Sequence, residues 1–189
     1  TNGEPSILLE PQSTNLVTYS NDYTQSDWVK SNFTANSETT TAPDGLPIGG
    51  YDFGDGFLYI DLPAMVVGAS YTSSVYIKAN KNGTIGLRNG GAGGSTNDTS
   101  IDLSTSWQRF TATSNAPNTN AGRFLIDNRS SKGFGVSDLK VFVYGAQNEQ
   151  LSYATSLIHT SGSTVTRSAD VANNAGNSDL INSTEGVIY

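Results

Sequence analysis

The chain has no cysteine, one histidine and few charges: only 14% of its 189 residues are Asp, Glu, Lys or Arg. Without cysteine there is no disulfide staple, no thiolate metal site and no thiol nucleophile. A Ser/His/Asp arrangement would have to be assembled around His159, which sits between Ile158 and Thr160 in a Ser/Thr-rich stretch and reads as a surface or packing residue. A zinc centre of the imidazole or thiolate kind lacks its ligands. No apolar run approaches the ~20 residues of a membrane span. Residues 1–9 lack the basic start and long apolar stretch of a signal peptide. The first residue is threonine, so the chain reads as a fragment or a processed form.

Basic residues are also scarce. Ten Lys and Arg stand against seventeen Asp and Glu, a formal net charge of −7, and no basic cluster interrupts the balance. Nucleic acid is therefore not an expected partner, because phosphate binding needs cations that displace counterions. A polybasic contact with a membrane surface is not expected either. Neutral sugars remain compatible, since stacking and hydrogen bonds hold them.

The polar remainder of the sequence is mostly Ser, Thr, Asn and Gly, which favour turns and strand surfaces over helices. Residues 71–79 alternate: Tyr71, Ser73, Val75, Ile77 and Ala79 share one face of a predicted strand. Asn80-Lys81-Asn82-Gly83 predicts a hairpin turn leading to a return strand at 84–88. Residues 57–62 also alternate, Phe57, Tyr59 and Asp61 against Leu58, Ile60 and Leu62. Further short strands are predicted at 16–19, 106–113, 123–127 and 139–144. Ala42-Pro43-Asp44-Gly45 marks a turn, and Asn89-Gly90-Gly91-Ala92-Gly93-Gly94-Ser95 a flexible loop without the Lys-Ser/Thr of a phosphate loop. Short strands separated by turns predict an all-β antiparallel sandwich. Residues 1–15, with the apolar run Ile7-Leu8-Leu9, form an N-terminal arm; residues 16–167 form the sandwich; residues 168–189 read as a linker and the first strand of a following domain.

Two stretches carry a family resemblance. One runs through Leu8-Leu9-Glu10, Asn15-Leu16, Tyr19-Ser20-Asn21-Asp22-Tyr23 and Trp28. The other is Tyr144-Gly145-Ala146-Gln147-Asn148-Glu149, then Ala154-Thr155-Ser156-Leu157-Ile158-His159-Thr160, then Val165-Thr166-Arg167-Ser168-Ala169-Asp170. Ser106-Trp107-Gln108-Arg109-Phe110 resembles the central strand between them. These resemble domains of tailed-phage fibre, spike and other virion proteins, themselves similar to jelly-roll carbohydrate-binding modules. His159 and Asn148 depart from the pattern, standing where Pro and an aliphatic residue are expected. The resemblance implies a lectin-like jelly roll at the virion surface. It implies host-glycan attachment, contact with other virion subunits and a homo-oligomer, a trimer in the family context. Related jelly rolls often carry a structural calcium near the chain ends, but here Gly145-Ala146-Gln147 stands where acidic ligands are expected, so no cofactor is predicted and calcium is left open. A carbohydrate-binding module of a secreted polysaccharide-degrading enzyme is the alternative.

Fold does not fix function, so the chemistry has to come from residues. Asp52, Asp55 and Asp61 supply carboxylates of the kind a glycosidase uses, yet Asp44-Gly45 and Asp55-Gly56 read more simply as turns. Asp52-Phe53-Gly54-Asp55 and Asn97-Asp98 offer oxygens for calcium. For sugar, aromatic faces and amide or guanidinium groups are needed. The candidates are Trp28, Tyr51, Phe53, Arg88, Asn89 and Asn128, with Tyr51 and Phe53 placed on an exposed glycine-flanked loop. Trp28 stands open between platform and core, whereas Trp107 reads as core. The expectation is a non-catalytic binding or assembly module.

Overall fold

The computed structural model describes residues 9–91, 98–119 and 121–171. Every pairing between its named strands is antiparallel. The all-β sandwich expected from the alternation is therefore the observed fold. The strands are β1 (Ser13–Asn15), β2 (Trp28–Thr41), β3 (Pro47–Ala64), β4 (Ser70–Ala79), β5 (Gly83–Gly91), β6 (Thr99–Leu103), β7 (Gln108–Asn115), β8 (Ala121–Asp127), β9 (Leu139–Glu149) and β10 (Val165–Arg167).

The path β6-β5-β8-β3-β9-β4-β7 is continuous, and β2 pairs with β3. What makes it a two-layer structure is the length of β3. Its second half pairs with β8, from Phe57 opposite Asp127 to Asp61 opposite Arg123. Its first half pairs with β9 through Tyr51, Asp52 and Phe53. Layer one is thus β6, β5, β8 and the far half of β3; layer two is β7, β4, β9 and the near half. The β2–β3 hairpin belongs to both. It changes layer where Asn32, at φ 48°, interrupts the register opposite residues 54–56. Gly56 is required there: a Cβ on it would lie 1.9 Å from the Ser31 carbonyl oxygen. Asp55-Gly56 is accordingly a bend within a strand, not the turn its sequence suggested. The turn at residues 42–45 is present, closed by Gly45 N–H donating to the Ala42 carbonyl.

Between the layers lies one core. Leu58, Ile60, Leu62, Ile85, Leu87, Phe124 and Ile126 come from layer one, and Val75, Ile77, Leu139, Val141 and Val143 from layer two. The 71–79 strand is as predicted, but its hairpin with 84–88 does not exist. β4 pairs with β7 and β9, while β5 pairs with β6 and β8. The turn residues explain the difference. Asn80 donates its N–H to the Lys140 carbonyl and its Nδ2 to the Asp138 carbonyl, and its Oδ1 accepts from Lys140 N–H. Pinned to the start of β9, the chain crosses the sandwich instead of folding back beside itself.

Other expectations shift locally. Residues 16–19 are not a strand: β1 precedes them, and Tyr19 makes an isolated bridge to Ser161. β9 runs five residues past the predicted 139–144. Trp107 is not core; it precedes β7, half-buried, with its indole N–H donated to the Thr41 carbonyl at 2.8 Å. Of the glycine loop, Asn89, Gly90 and Gly91 continue β5, and 92–95 lie outside the described residues. The run Ile7-Leu8 and residues 172–189 also lie outside them.

The resemblance motif turns out to be a clamp. β1 pairs with β10, so residues from both ends of the sequence meet. The fully buried Glu149 carboxylate accepts from Ser13 Oγ (2.6 Å), Gln147 Nε2 (2.6 Å), Thr155 N (3.0 Å) and Thr155 Oγ1 (2.5 Å). Gln147 Oε1 accepts from Ile158 N–H at 2.7 Å. Asn15, also fully buried, donates to the Ala146 and Ile158 carbonyls and accepts from Val17 and Asn148 N–H. The Glu149, Gln147 and Asn15 side chains each find several partners, as burial requires.

Candidate functional site

Because Leu58, Ile60, Leu62, Phe124 and Ile126 fill the core, the alternate residues of β3 and β8 face outward. The registers set them in rows across layer one. One row is Val29, Tyr59, Leu125 and Arg88; the next is Ser31, Phe57, Asp127 and Gly86; a third holds Asp61, Arg123 and Gly90.

Four planar groups stack along this face. The Phe57 and Tyr59 rings lie 5.5 Å apart at 30°. Arg123, one row beyond Tyr59, places its guanidinium carbon 3.7 Å from that ring's centroid. Arg129, beyond the row of Phe57, sits 4.9 Å from the Phe57 ring. The order along the face is Arg129, Phe57, Tyr59, Arg123. Contacts of this kind contribute roughly 0.5–2 kcal/mol each. Aspartates fix the ends: Arg123 Nε donates to Asp61 at 2.8 Å, and Arg129 Nε to the fully buried Asp127 at 2.8 Å. Asp127 hydrogen bonding holds Arg129 charged, above its ordinary value. A third pair, Arg88 with Asp98, closes the row at 2.6 and 3.0 Å. The ridge therefore shows water a Tyr hydroxyl, guanidinium N–H groups and carboxylate oxygens, with the half-exposed rings and Val29 between them. Such a surface can meet both the C–H and O–H groups of a sugar.

The loop after β8 walls one end. Phe134 lies over Gly86, where a Cβ would come within 2.6 Å of its ring. Asn128 holds that loop. Its Nδ2 donates to the Phe53, Gly54 and Val136 carbonyls, and its Oδ1 accepts from Gly135 and Val136 N–H. Asp55 accepts from Ser130 N–H and Oγ at 2.8 and 2.6 Å, and these bonds, the hydroxyl's first, lower its pKa.

Of the singled-out residues whose side chains are described, only Arg88 points to this face, and it is buried in its ion pair. Trp28 is 2% exposed and packs edge-on against Phe124, its indole N–H given to the Tyr19 carbonyl. Phe53 is 1% exposed. Both are core residues of strands and offer no platform. Tyr51, on β3 rather than a loop, stacks on Phe33 at 4.4 Å. Asn128 is a buried brace. Asn89 lies opposite Phe124, and its side chain is outside the described residues.

The residues that form the ridge were missed, although a signal existed. In Phe57-Leu58-Tyr59-Ile60-Asp61-Leu62 the aliphatic set can fill a core, which leaves the aromatic and acidic set outside.

Asp52, Asp55 and Asp61 are not brought together. Asp52 pairs in layer two and accepts from Asn36, whereas Asp61 stands in layer one on Arg123. Among the described residues no three His, Asp or Glu side chains gather as a metal site. Asp98 is committed to Arg88, and Asn97 lies outside the described residues.

No family model matches the chain, and no curated protein matches its sequence. Solved structures do match its fold. An exo-beta-agarase aligns with a TM-score of 0.54 at 13% identity, over 72% of this chain and 25% of its own, so the chain spans about a quarter of that enzyme. The CBM22-1 xylan-binding domain of Paenibacillus barcinonensis Xyn10C aligns at 0.52 and 10% identity, over 77% of this chain and 99% of its own. TmCBM61, solved with beta-1,4-galactotriose, aligns at 0.50 and 12%, over 72% and 99%. Identities this low speak for architecture alone. The chain has the jelly-roll β-sandwich fold of carbohydrate-binding modules.

Proposed function

We propose that this chain is a non-catalytic carbohydrate-binding module that holds a glycan across the outward face of layer one. The observation that carries the reading is the ridge Arg129–Phe57–Tyr59–Arg123, a half-exposed stack of aromatic and guanidinium groups on the outward face of layer one, beside the buried Leu125, Asp127 and Arg88. Two module-sized structural neighbours are described as binding xylan and a galactotriose, which supports sugar as the ligand class. The non-catalytic reading is supported by the carboxylates on the face: Asp61, Asp98 and Asp127 are each bound to an arginine.

The virion placement, attachment to a host glycan and contact with other virion subunits rest on the resemblance of the Gly145-Ala146-Gln147 and Ala154-Thr155-Ser156 stretches to fibre and spike domains. The alternative is a module of a secreted polysaccharide-degrading enzyme, and the neighbouring domains of the full-length protein decide between them. Light scattering of the purified chain tests the homo-oligomer.

A glycan microarray probed with the wild type and with Tyr59→Ala and Arg123→Ala tests the site. Expected are defined hits that weaken at least tenfold in both variants while strand content by circular dichroism is unchanged; tenfold corresponds to about 1.4 kcal/mol. An empty array, or hits that both variants retain, refutes the assignment.

A further inference from the structure

The opposite side of the molecule carries a second arrangement, unrelated to the ridge. Leu139, Val141 and Val143 of β9 face the core, so Tyr144, two positions beyond Phe142, belongs with the outward rows of layer two, opposite Tyr76. The β2–β3 turn folds over that face. Trp107 holds it through the Thr41 carbonyl, and Lys78 Nζ donates to Thr40 Oγ1 at 3.0 Å. Between turn and sheet is a crevice of about 230 Å³ lined by Asn21, Ala42, Asp44, Leu46, Pro47, Ile48 and Tyr144.

The polar side of the crevice has a fixed direction. Asn21 Oδ1 accepts from Gly145 N–H at 2.7 Å, so its Nδ2 faces His159 Nδ1, 3.0 Å away, and donates to it. With Nδ1 an acceptor, the neutral ring carries its proton on Nε2, which faces Tyr144 Oη at 3.3 Å. Tyr144 in turn donates to Asp44 Oδ2 at 3.0 Å. The relay of donors ends on an exposed carboxylate. The Leu46 N–H, the largest cause, and then the Tyr144 hydroxyl lower the pKa of Asp44, outweighing the desolvation that raises it. Burial first, and then the bond to Asp44, push the Tyr144 hydroxyl up to about 12, so it stays a donor. Each carboxylate oxygen has two acceptor sites. One on Oδ1 is filled by Leu46 N–H and one on Oδ2 by Tyr144, leaving one on each for a ligand.

We propose that this crevice is a second ligand site, taking one uncharged pyranose ring that donates two hydroxyls to Asp44 and lays its C–H face on Pro47, Ile48 and Leu46. The volume is below the roughly 300–1,000 Å³ of pockets for drug-sized molecules, which fits one ring and not a chain. An anion meets the Asp44 charge and finds no cation on the lining. The relay, ending in an acceptor, calls for a ligand that brings donors. The site is on the other layer from the ridge and stands or falls without it.

The test is titration of the full chain with glucose, galactose, mannose and xylose, with glucuronate as the charged control, followed by amide chemical shifts. Expected are saturable shifts at Asn21, Leu46, Ile48 and Tyr144 with at least one neutral sugar. They persist in Tyr59→Ala, weaken at least tenfold in Asp44→Asn, and are far smaller with glucuronate. No shift at these amides with any neutral sugar overturns the proposal, as does unchanged affinity in Asp44→Asn or equal affinity for glucuronate. Should Asp44→Asn disturb the turn, Tyr144→Phe keeps the ring and removes the relay; affinity equal to wild type then overturns it.

Discussion

Glu149 shows at the level of one side chain why a motif can identify a fold and still say nothing about a ligand. Its carboxylate is fully buried and accepts four hydrogen bonds, from residues of β1, β9 and the C-terminal tail. Removing the acceptor leaves those donors buried without partners, at about 1–3 kcal/mol for each group that water cannot reach. Glu149→Ala is therefore expected to lower the urea unfolding free energy by about 3 kcal/mol or more, and Thr155→Val by about 1–2 kcal/mol. Values near zero for both would mean that the clamp does not hold the ends. Tyr59 and Trp28 make the complementary point. Both are large aromatics on strands that sequence alone can assign to either face, and only the identity of their alternating neighbours separates them. Trp28 is paired opposite Ile60 and goes in; Tyr59 stands next to Ile60 and goes out.

Strands were legible to within a few residues wherever apolar and polar residues alternate, as at β4 and β8. Their pairing was not. Asn80-Lys81-Asn82-Gly83 has the chemistry of a hairpin turn, and the same chemistry serves a crossing between layers when Asn80 is bound to β9. That bond joins residues sixty positions apart, which no local pattern reports. The layer change of the β2–β3 hairpin was hidden for a related reason. Gly54 and Gly56 look like loop formers, yet they let one strand bend between two sheets. Since a Cβ at Gly56 would overlap the Ser31 carbonyl, Gly56→Ala is expected to cost about 2 kcal/mol or more in urea unfolding. Gly45→Ala, at φ 86° in the open turn with no atom within 4 Å, is expected to cost about 1 kcal/mol by backbone strain alone. Equal costs would place the layer change elsewhere. The same bend sets Phe57 and Tyr59, half-buried, on the outward face of layer one, so the ridge could not be foreseen without the topology.

Taken whole, the molecule is acidic, and among the described residues four carboxylates are stabilised in the charged form. Hydrogen bonds outweigh desolvation at Glu10, and hydrogen bonds lead at Asp22, Asp44 and Asp55, all with lowered pKa values. A depressed folded-state pKa adds stability above the unfolded value, about 4 for these groups, and that stability is lost as pH falls through the folded value. The thermal midpoint should thus fall as pH drops below about 4. Asp55→Asn should flatten the fall, because it removes one of the four; an identical slope would contradict this. The two outward faces of the sandwich differ in kind: layer one carries the half-exposed stacked ridge beside a part covered by Phe134 and the Arg88–Asp98 pair, whereas layer two is roofed by the β2–β3 turn. On that difference the functional reading depends.

Chemical-shift mapping of the tightest array hit onto the assigned amide spectrum tests it most directly. The account predicts the largest shifts along β3 from Phe57 to Asp61 and along β8 from Arg123 to Asp127, with little change in β4 and β7. Shifts confined to layer two or to the β1–β10 end, with the ridge unmoved, would contradict it.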